Sequence, residues 1–301
     1  MDQPYHIPAL LEEAIEGLDI KSDGIYVDAT FGGGGHSGKI IESIGHNGKL
    51  FGFDQDMDAY SNRLENDNFI FVHSNFKYIR NFLRFHGINK IDGLLADLGV
   101  SFHHFDASER GFTFRNDTRL DMRMNPEAVL DAETLINTSS PDDLKRILKV
   151  YGEVDNSGSI VSRIVKERNE NRIKTTQQFI DVISPVLDPK REKKELAKIF
   201  QAIRIAVNNE LGALETLLNE SVELLKPGGR LVIISYHSLE DRMVKNFMKT
   251  GNIDGKTVTD IYGTNPSPFR MVTSKPIVPS EKEIEENPRS RSAKLRIAIR
   301  K

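Results

Sequence analysis

Gly33-Gly34-Gly35-His36-Ser37-Gly38 reads as G-x-G-x-x-G, following a β-rich run, Gly24 to Thr30, and preceding a segment that can open a helix, His36 to Ile44. Glycines there let the backbone approach a ligand where a Cβ would collide, but glycine runs also make plain tight turns. Three acids narrow the choice. Asp54 closes the run Lys49 to Asp54, where a carboxylate can accept hydrogen bonds from both ribose hydroxyls of a nucleoside cofactor, NAD and S-adenosylmethionine alike. Asp28 precedes the glycines and Asp97 sits near the end of the run Ile91 to Gly99, adding negative charge at one sheet edge. That suits a ligand with a sulfonium and an ammonium and would repel a pyrophosphate. Any one of these acids could equally be a strand-end turn or a helix cap; three at successive strand ends are harder to explain that way.

The elements that must hold these residues follow from periodicity. Short apolar runs at Gly24 to Thr30, Lys49 to Asp54, Phe69 to His73 and Ile91 to Gly99 alternate with helical stretches, which predicts a parallel sheet with helices on both faces. Helical signals then take over for about a hundred residues. Ser140 is an N-cap, Pro141 stands at N1, and Leu144, Ile147, Leu148 and Tyr151 share a face, with Gly152 as the stop. Ile160 to Val165 and Phe179 to Ile183 predict two more helices. Phe200 to Leu225 reads as one long amphipathic helix ended by Pro227-Gly228-Gly229, Arg230 to Tyr236 as a buried strand, Leu239 to Met248 as a helix, and Leu295 to Lys301 as a half-exposed last strand. The expected division is a sheet domain, 1–107 and 197–301, interrupted by a helical domain, 108–196.

Composition sets the outer bounds. The 301 residues, 38% hydrophobic and 28% charged, are those of an ordinary globular protein of about two domains. With no cysteine, disulfides, cysteine zinc sites, iron–sulfur clusters and thiol nucleophiles are excluded, in keeping with a reducing cytoplasm. Met1 to Leu18 carries Glu12, Glu13 and Glu16 and no basic n-region, so it reads as an amphipathic helix, not a signal peptide; no run of 18 apolar residues predicts a membrane span. Lys+Arg 41 against Asp+Glu 44 gives a net charge of −3, so any nucleic-acid surface must be local.

Several longer words then coincide in order: His6-Ile7-Pro8-Ala9-Leu10-Leu11, Asp28-Ala29-Thr30-Phe31-Gly32-Gly33-Gly34-Gly35-His36-Ser37, Asp97-Leu98-Gly99-Val100-Ser101 and Glu109-Arg110-Gly111-Phe112-Thr113-Phe114. Leu120-Asp121-Met122-Arg123-Met124, Phe200-Gln201-Ala202-Ile203-Arg204-Ile205, Ser235-Tyr236-His237-Ser238-Leu239-Glu240-Asp241-Arg242 and Asn287-Pro288-Arg289-Ser290-Arg291-Ser292 follow. Over nearly its whole length the chain resembles the bacterial 16S ribosomal RNA (cytosine-N4) methyltransferases of the RsmH, or MraW, type. The resemblance implies an α/β class I SAM-dependent methyltransferase (Rossmann-like) sheet domain with an inserted all-helical domain. It implies S-adenosylmethionine contacts at Gly34, Gly35, His36, Asp54, Phe76 and Asp97. One more falls at His104, where the chain departs from the family: after Ser101 it has Phe102, His103 and His104 in place of the usual serine, proline and glutamine. Tyr236 stands where phenylalanine is usual and adds a hydroxyl near the expected substrate pocket.

The implied reaction carries a methyl group to the exocyclic amino nitrogen of a cytidine in 16S rRNA of the small ribosomal subunit. That nitrogen is a poor nucleophile until an acceptor draws its lone pair out of conjugation with the ring; Asp97 and Ser101, in the loop where amino-methyltransferases place such a group, are the candidates. In-line displacement needs positioning more than a strong base, so neither a metal nor a catalytic nucleophile is expected. His237 is a proton acceptor or pocket wall, or else a histidine satisfied by backbone. Phe102, Phe105, Phe112, Phe114 and Tyr236 are candidates to stack a flipped-out base, or core. Arg110, Arg123, Arg289 and Arg291 are the expected RNA contacts, the last two in a basic tail that also holds Lys294, Arg296, Arg300 and Lys301; Lys190 to Lys198 form a second cluster that reads as a solvated face. A site shared by the sheet domain and the inserted helices would suit structured RNA. Rival readings are a non-catalytic RNA-binding ribosome-assembly factor, a DNA amino-methyltransferase, against which the absence of an Asp/Asn/Ser-Pro-Pro-aromatic tetrapeptide counts, and a nicotinamide dehydrogenase. Nothing in the sequence decides between monomer and homodimer.

Overall fold

The computed structural model describes residues 8–99, 110–257 and 267–301. It divides into two compact units, Met1–Gly99 with Leu211–Lys301, and Val100–Glu210.

The first unit is built on seven strands: β1 (Ile25–Asp28), β2 (Lys49–Asp54), β3 (Phe69–His73), β4 (Ile91–Asp97), β5 (Leu225–Ser235), β6 (Phe269–Met271) and β7 (Lys294–Arg300). Their order is β3-β2-β1-β4-β5-β7-β6, with β1 to β5 parallel and β7 antiparallel to both β5 and β6. An open parallel sheet closed by one reversed strand between the fifth and sixth is the class I methyltransferase arrangement. Period-2 alternation sorts its side chains. Val27, Leu94, Ala96, Leu231 and Ile233 pack on one face against α3 (Ile79–Phe85), α9 (Glu210–Leu224) and α10 (Ser238–Thr250). Tyr26, Leu95, Val232, Ile234 and Ile297 pack on the other, against α1 (Leu11–Leu18) and α2 (Gly35–Ser43). With both faces covered, the strands need the near-continuous apolar runs seen in the sequence. β6, three residues long, has no readable alternation and was not foreseen.

The second unit contains α4 (Ala132–Thr138), α5 (Pro141–Gly152), α6 (Ser157–Glu170), α7 (Thr176–Ile183) and α8 (Glu192–Asn208) around its own apolar core. α5 starts as the sequence requires: Ser140 is extended and its Oγ accepts the Asp143 amide at 3.1 Å. Ser140→Ala removes that acceptor and is expected to lower stability by about 1 kcal/mol, read from denaturant unfolding.

Two expectations need correction. The long helix Phe200 to Leu225 is two helices, because Asn209 adopts left-handed φ 48° and parts α8 from α9. The junctions expected at 107/108 and 196/197 fall at 99/100 and 210/211. α8 buries Leu196, Ile199, Phe200, Ala202 and Ile203 in the helical core, so it belongs with the insert.

Candidate active site

Strand order brings the three acids together. β2, β1 and β4 are neighbours, with Asp28 level with Gly52 and Leu95, so Asp54, Asp28 and Asp97 end adjacent strands at one edge. That is the edge at which open α/β sheets bind ligands.

The glycine turn crosses this edge between β1 and α2. Gly34 caps α2 with φ 76°, and a Cβ there would lie 3.0 Å from the Phe31 ring; at Gly35 it would run into the Pro8 ring. Asp54 is oriented by two backbone amides, Gly32 donating to Oδ2 and Asp56 to Oδ1, each at 2.8 Å. Phe76 opens a short 3₁₀ turn (Phe76–Tyr78) after β3 and is half-buried. Asp28 has a different task from lining a pocket: it is buried, and its carboxylate accepts the Ser37 hydroxyl at 2.7 Å and the Thr30 amide at 3.1 Å, tying β1 to α2.

Asp97 is the unusual group. Its amide donates to Thr30 Oγ1 at 2.6 Å, which fixes the strand end, but its buried carboxylate Oδ1 has no hydrogen-bond partner among the described residues. Burial pushes its pKa up to about 6, only partly offset by His36 and the Tyr236 phenol, while Asp28 and Glu240 add repulsion. His36 Nδ1 lies 3.9 Å from the other oxygen and its Nε2 3.2 Å from the Ala9 carbonyl; burial holds the imidazole below its ordinary pKa, partly opposed by the charge of Asp97. The cradle therefore offers an acceptor.

His237 holds the N-cap of α10. Its Nδ1 accepts the Glu240 amide at 3.4 Å, its Nε2 lies 3.1 Å from Glu240 Oε1, and Glu240 Oε2 accepts the Tyr236 amide at 3.1 Å. The Nδ1 lone pair therefore serves as a helix cap, while the buried Nε2 makes no hydrogen bond among the described residues. Glu240 itself was missed, although a cap followed three residues later by Glu is a readable capping box.

The arginines also part company. Arg123, expected at RNA, makes a two-pronged contact with Asp121 (2.8 and 2.6 Å) and donates to the Ala128 carbonyl at 2.8 Å. Arg110 donates to the carbonyls of Arg123 and Met124 at 2.7 and 2.9 Å. Both brace a loop of the helical unit, whose backbone carbonyls need donors. Phe112 is in that unit's core and Phe114 packs edge-on against Phe200, so neither is a free stacking platform. In the basic tail Arg289 and Arg291 are exposed on a 3₁₀ turn, Pro288–Ser292, whereas Arg296 is buried against Asp241 and Arg300 donates to the Val222 and Pro268 carbonyls. Ser101, Phe102, His104 and Phe105 lie outside the described residues.

The family profile described as the MraW methylase family matches residues 3–301. The ribosomal RNA small subunit methyltransferase H of Bacteroides thetaiotaomicron is 57% identical over 297 residues, covering 99% of this chain and 98% of that protein. The protein of the same name from Flavobacterium johnsoniae is 51% identical over 294 residues, covering 98% and 97%. Among solved structures, an rRNA methylase from Streptococcus thermophilus aligns over 96% of this chain and 93% of its own at 12% identity, with a TM-score of 0.39.

Proposed function

Because the chain belongs to the MraW methylase family, we propose that it transfers a methyl group from S-adenosylmethionine to the exocyclic N4 amino group of a cytidine in the 16S RNA of the small ribosomal subunit, in the cytoplasm. The relatives named as small-subunit rRNA methyltransferases support the substrate class, and the strand order supports the donor. The observation that carries the reading is the buried Asp97 carboxylate, an acceptor without a partner among the described residues, beside a glycine turn in which a Cβ at Gly34 or Gly35 would press on the Phe31 or Pro8 ring. No described helix is long and apolar enough to cross a membrane.

S-adenosylmethionine, when bound, supplies an electrophilic methyl group on a sulfonium. Gly34 and Gly35 would meet it through bare backbone, Asp54 would accept from the ribose hydroxyls, and Phe76 would cover the adenine. Asp97 offers its unpaired oxygen to the ligand's ammonium or to the cytosine amino hydrogens. Either contact would hold the amino nitrogen in line with the methyl group, for a displacement that needs positioning more than a strong base because the nitrogen can release its proton to water after attack. Methyl incorporation by the purified chain into small-subunit RNA, with mass spectrometry of the nucleosides, tests this. A product other than N4-methylcytidine, or none, removes the assignment.

A pH dependence follows from Asp97. A cationic ligand favours the carboxylate, so below about pH 6 binding must displace a proton. The affinity for S-adenosylmethionine is expected to be flat above pH 7 and to fall toward tenfold per unit below pH 6, with proton release in titration calorimetry. Without ligand the sign is opposite for stability: a carboxyl whose folded pKa is raised contributes stability below about pH 4, lost as pH rises through about 6.

A further inference from the structure

α3 buries Ile79 and Leu83 and turns Arg80, Asn81, Arg84 and Phe85 to solvent. From Ser74 to Lys90 the chain has no acid but has Lys77, Arg80, Arg84 and Lys90, a local excess of cations in a protein of net charge −3. Tyr78 and Phe85, on the same segment, are 47% and 85% exposed. The Lys77 ammonium lies 4.9 Å over the Tyr78 ring, and Phe85 makes a T-shaped contact with His86. Among the described residues Arg84 takes part in no ion pair, while Arg80 reaches Glu220 at 3.4 Å and Lys90 the Glu223 carbonyl at 2.6 Å. Such surface contacts are weak and exchange readily for a phosphate.

We propose that this face is a second RNA footprint, which grips a single-stranded stretch by phosphate contacts from Lys77, Arg80 and Arg84 and by base stacking on Tyr78 and Phe85. Alternating cations and exposed rings match a strand whose charge repeats while its bases offer flat faces. A membrane fits less well, because the apolar residues α3 would need for acyl chains point into the core. The inference rests on the proposed function only in taking RNA as the target.

The test is binding of the full chain to a labelled single-stranded RNA and to protein-free small-subunit RNA, across about 50 to 200 mM salt. Arg80→Gln with Arg84→Gln is expected to weaken binding roughly tenfold near 0.1 M salt and to reduce the log–log salt slope by about 1.4, two contacts' worth. Phe85→Ala is expected to weaken it about fivefold to a hundredfold at any salt. S-adenosylmethionine binding and the thermal midpoint should not change. Wild-type cross-linking to 4-thiouridine RNA should label residues 77–90, a readout independent of how the variants fold. Unaltered affinity and slope in the variants, absence of that cross-link, or competition by phosphatidylglycerol vesicles in place of RNA would overturn the footprint. Binding needs no turnover, so a chain that grips RNA here yet makes no N4-methylcytidine defeats the proposed reaction and spares this surface.

Discussion

Asp97→Ala is expected to abolish methyl transfer, by a factor of about a thousand or more, while the protein stays folded. The variant keeps the backbone amide that donates to Thr30 Oγ1, so the end of β4 remains tied to β1. It loses a buried carboxylate whose charge burial opposes, so stability at pH 7 should hold or rise. What disappears is the one partnerless acceptor in the cradle, among the described residues, and with it the group that can fix a cation or an amino group beside the methyl. Removing a single positioned hydrogen-bonding group commonly costs 10²- to 10³-fold in turnover, and loss of cofactor affinity compounds it. Methyl incorporation at saturating cofactor, alongside a melting curve, separates chemistry from folding. Normal turnover by a folded Asp97→Ala protein would sink the assignment.

The largest effect on stability is expected from Asp241→Ala. Arg296, on β7, has a side chain only 5% exposed, and its Nε donates to Asp241 Oδ1 at 2.6 Å, while Lys294 lies 3.5 Å from Oδ2. The alanine variant leaves a buried guanidinium without its counter-charge, a change that typically costs about 3 to 5 kcal/mol; the partial exposure of Asp241 puts the expectation near 3 kcal/mol. Urea unfolding reads it directly. Asp241→Ala combined with Arg296→Leu should recover most of the loss, because the desolvation penalty leaves with the charge. An equally unstable double variant would show that packing, not charge, sets the cost. Burial raises the Asp241 pKa, but the hydrogen bond and charge of Arg296, with Lys294, outweigh it and hold the carboxyl below its ordinary value. A depressed folded pKa contributes stability above about pH 4, lost as pH falls through the folded value.

His237, Arg123 and Arg296 show where residue-by-residue reading stops. Each stands inside or near a recognisable word and carries a group able to serve chemistry or RNA, yet each is taken up by a carboxylate: Glu240 and Asp121 nearby in sequence, Asp241 on another element. The first had a local signal in its three-residue spacing. The last had none, because 55 residues separate Asp241 from Arg296 and only the packing of α10 beside β7 brings them together.

By itself the sequence determined what depends on near neighbours. β2 and β3 run over the residues their apolar runs mark, Ser140 caps α5, and the glycine turn lies between β1 and α2, because side-chain period, capping groups and bare Cα positions act within one or two turns of chain. Only the tertiary structure decided that Asp28 is a clamp while Asp97 keeps an oxygen unpaired among the described residues, that α8 joins the insert's core, and that α3 shows its cations and rings to solvent. Those outcomes depend on which groups meet across long sequence separations and on how much water each one loses, and burial, not residue type, sets whether a charge there is paired, neutralised or left waiting for a ligand.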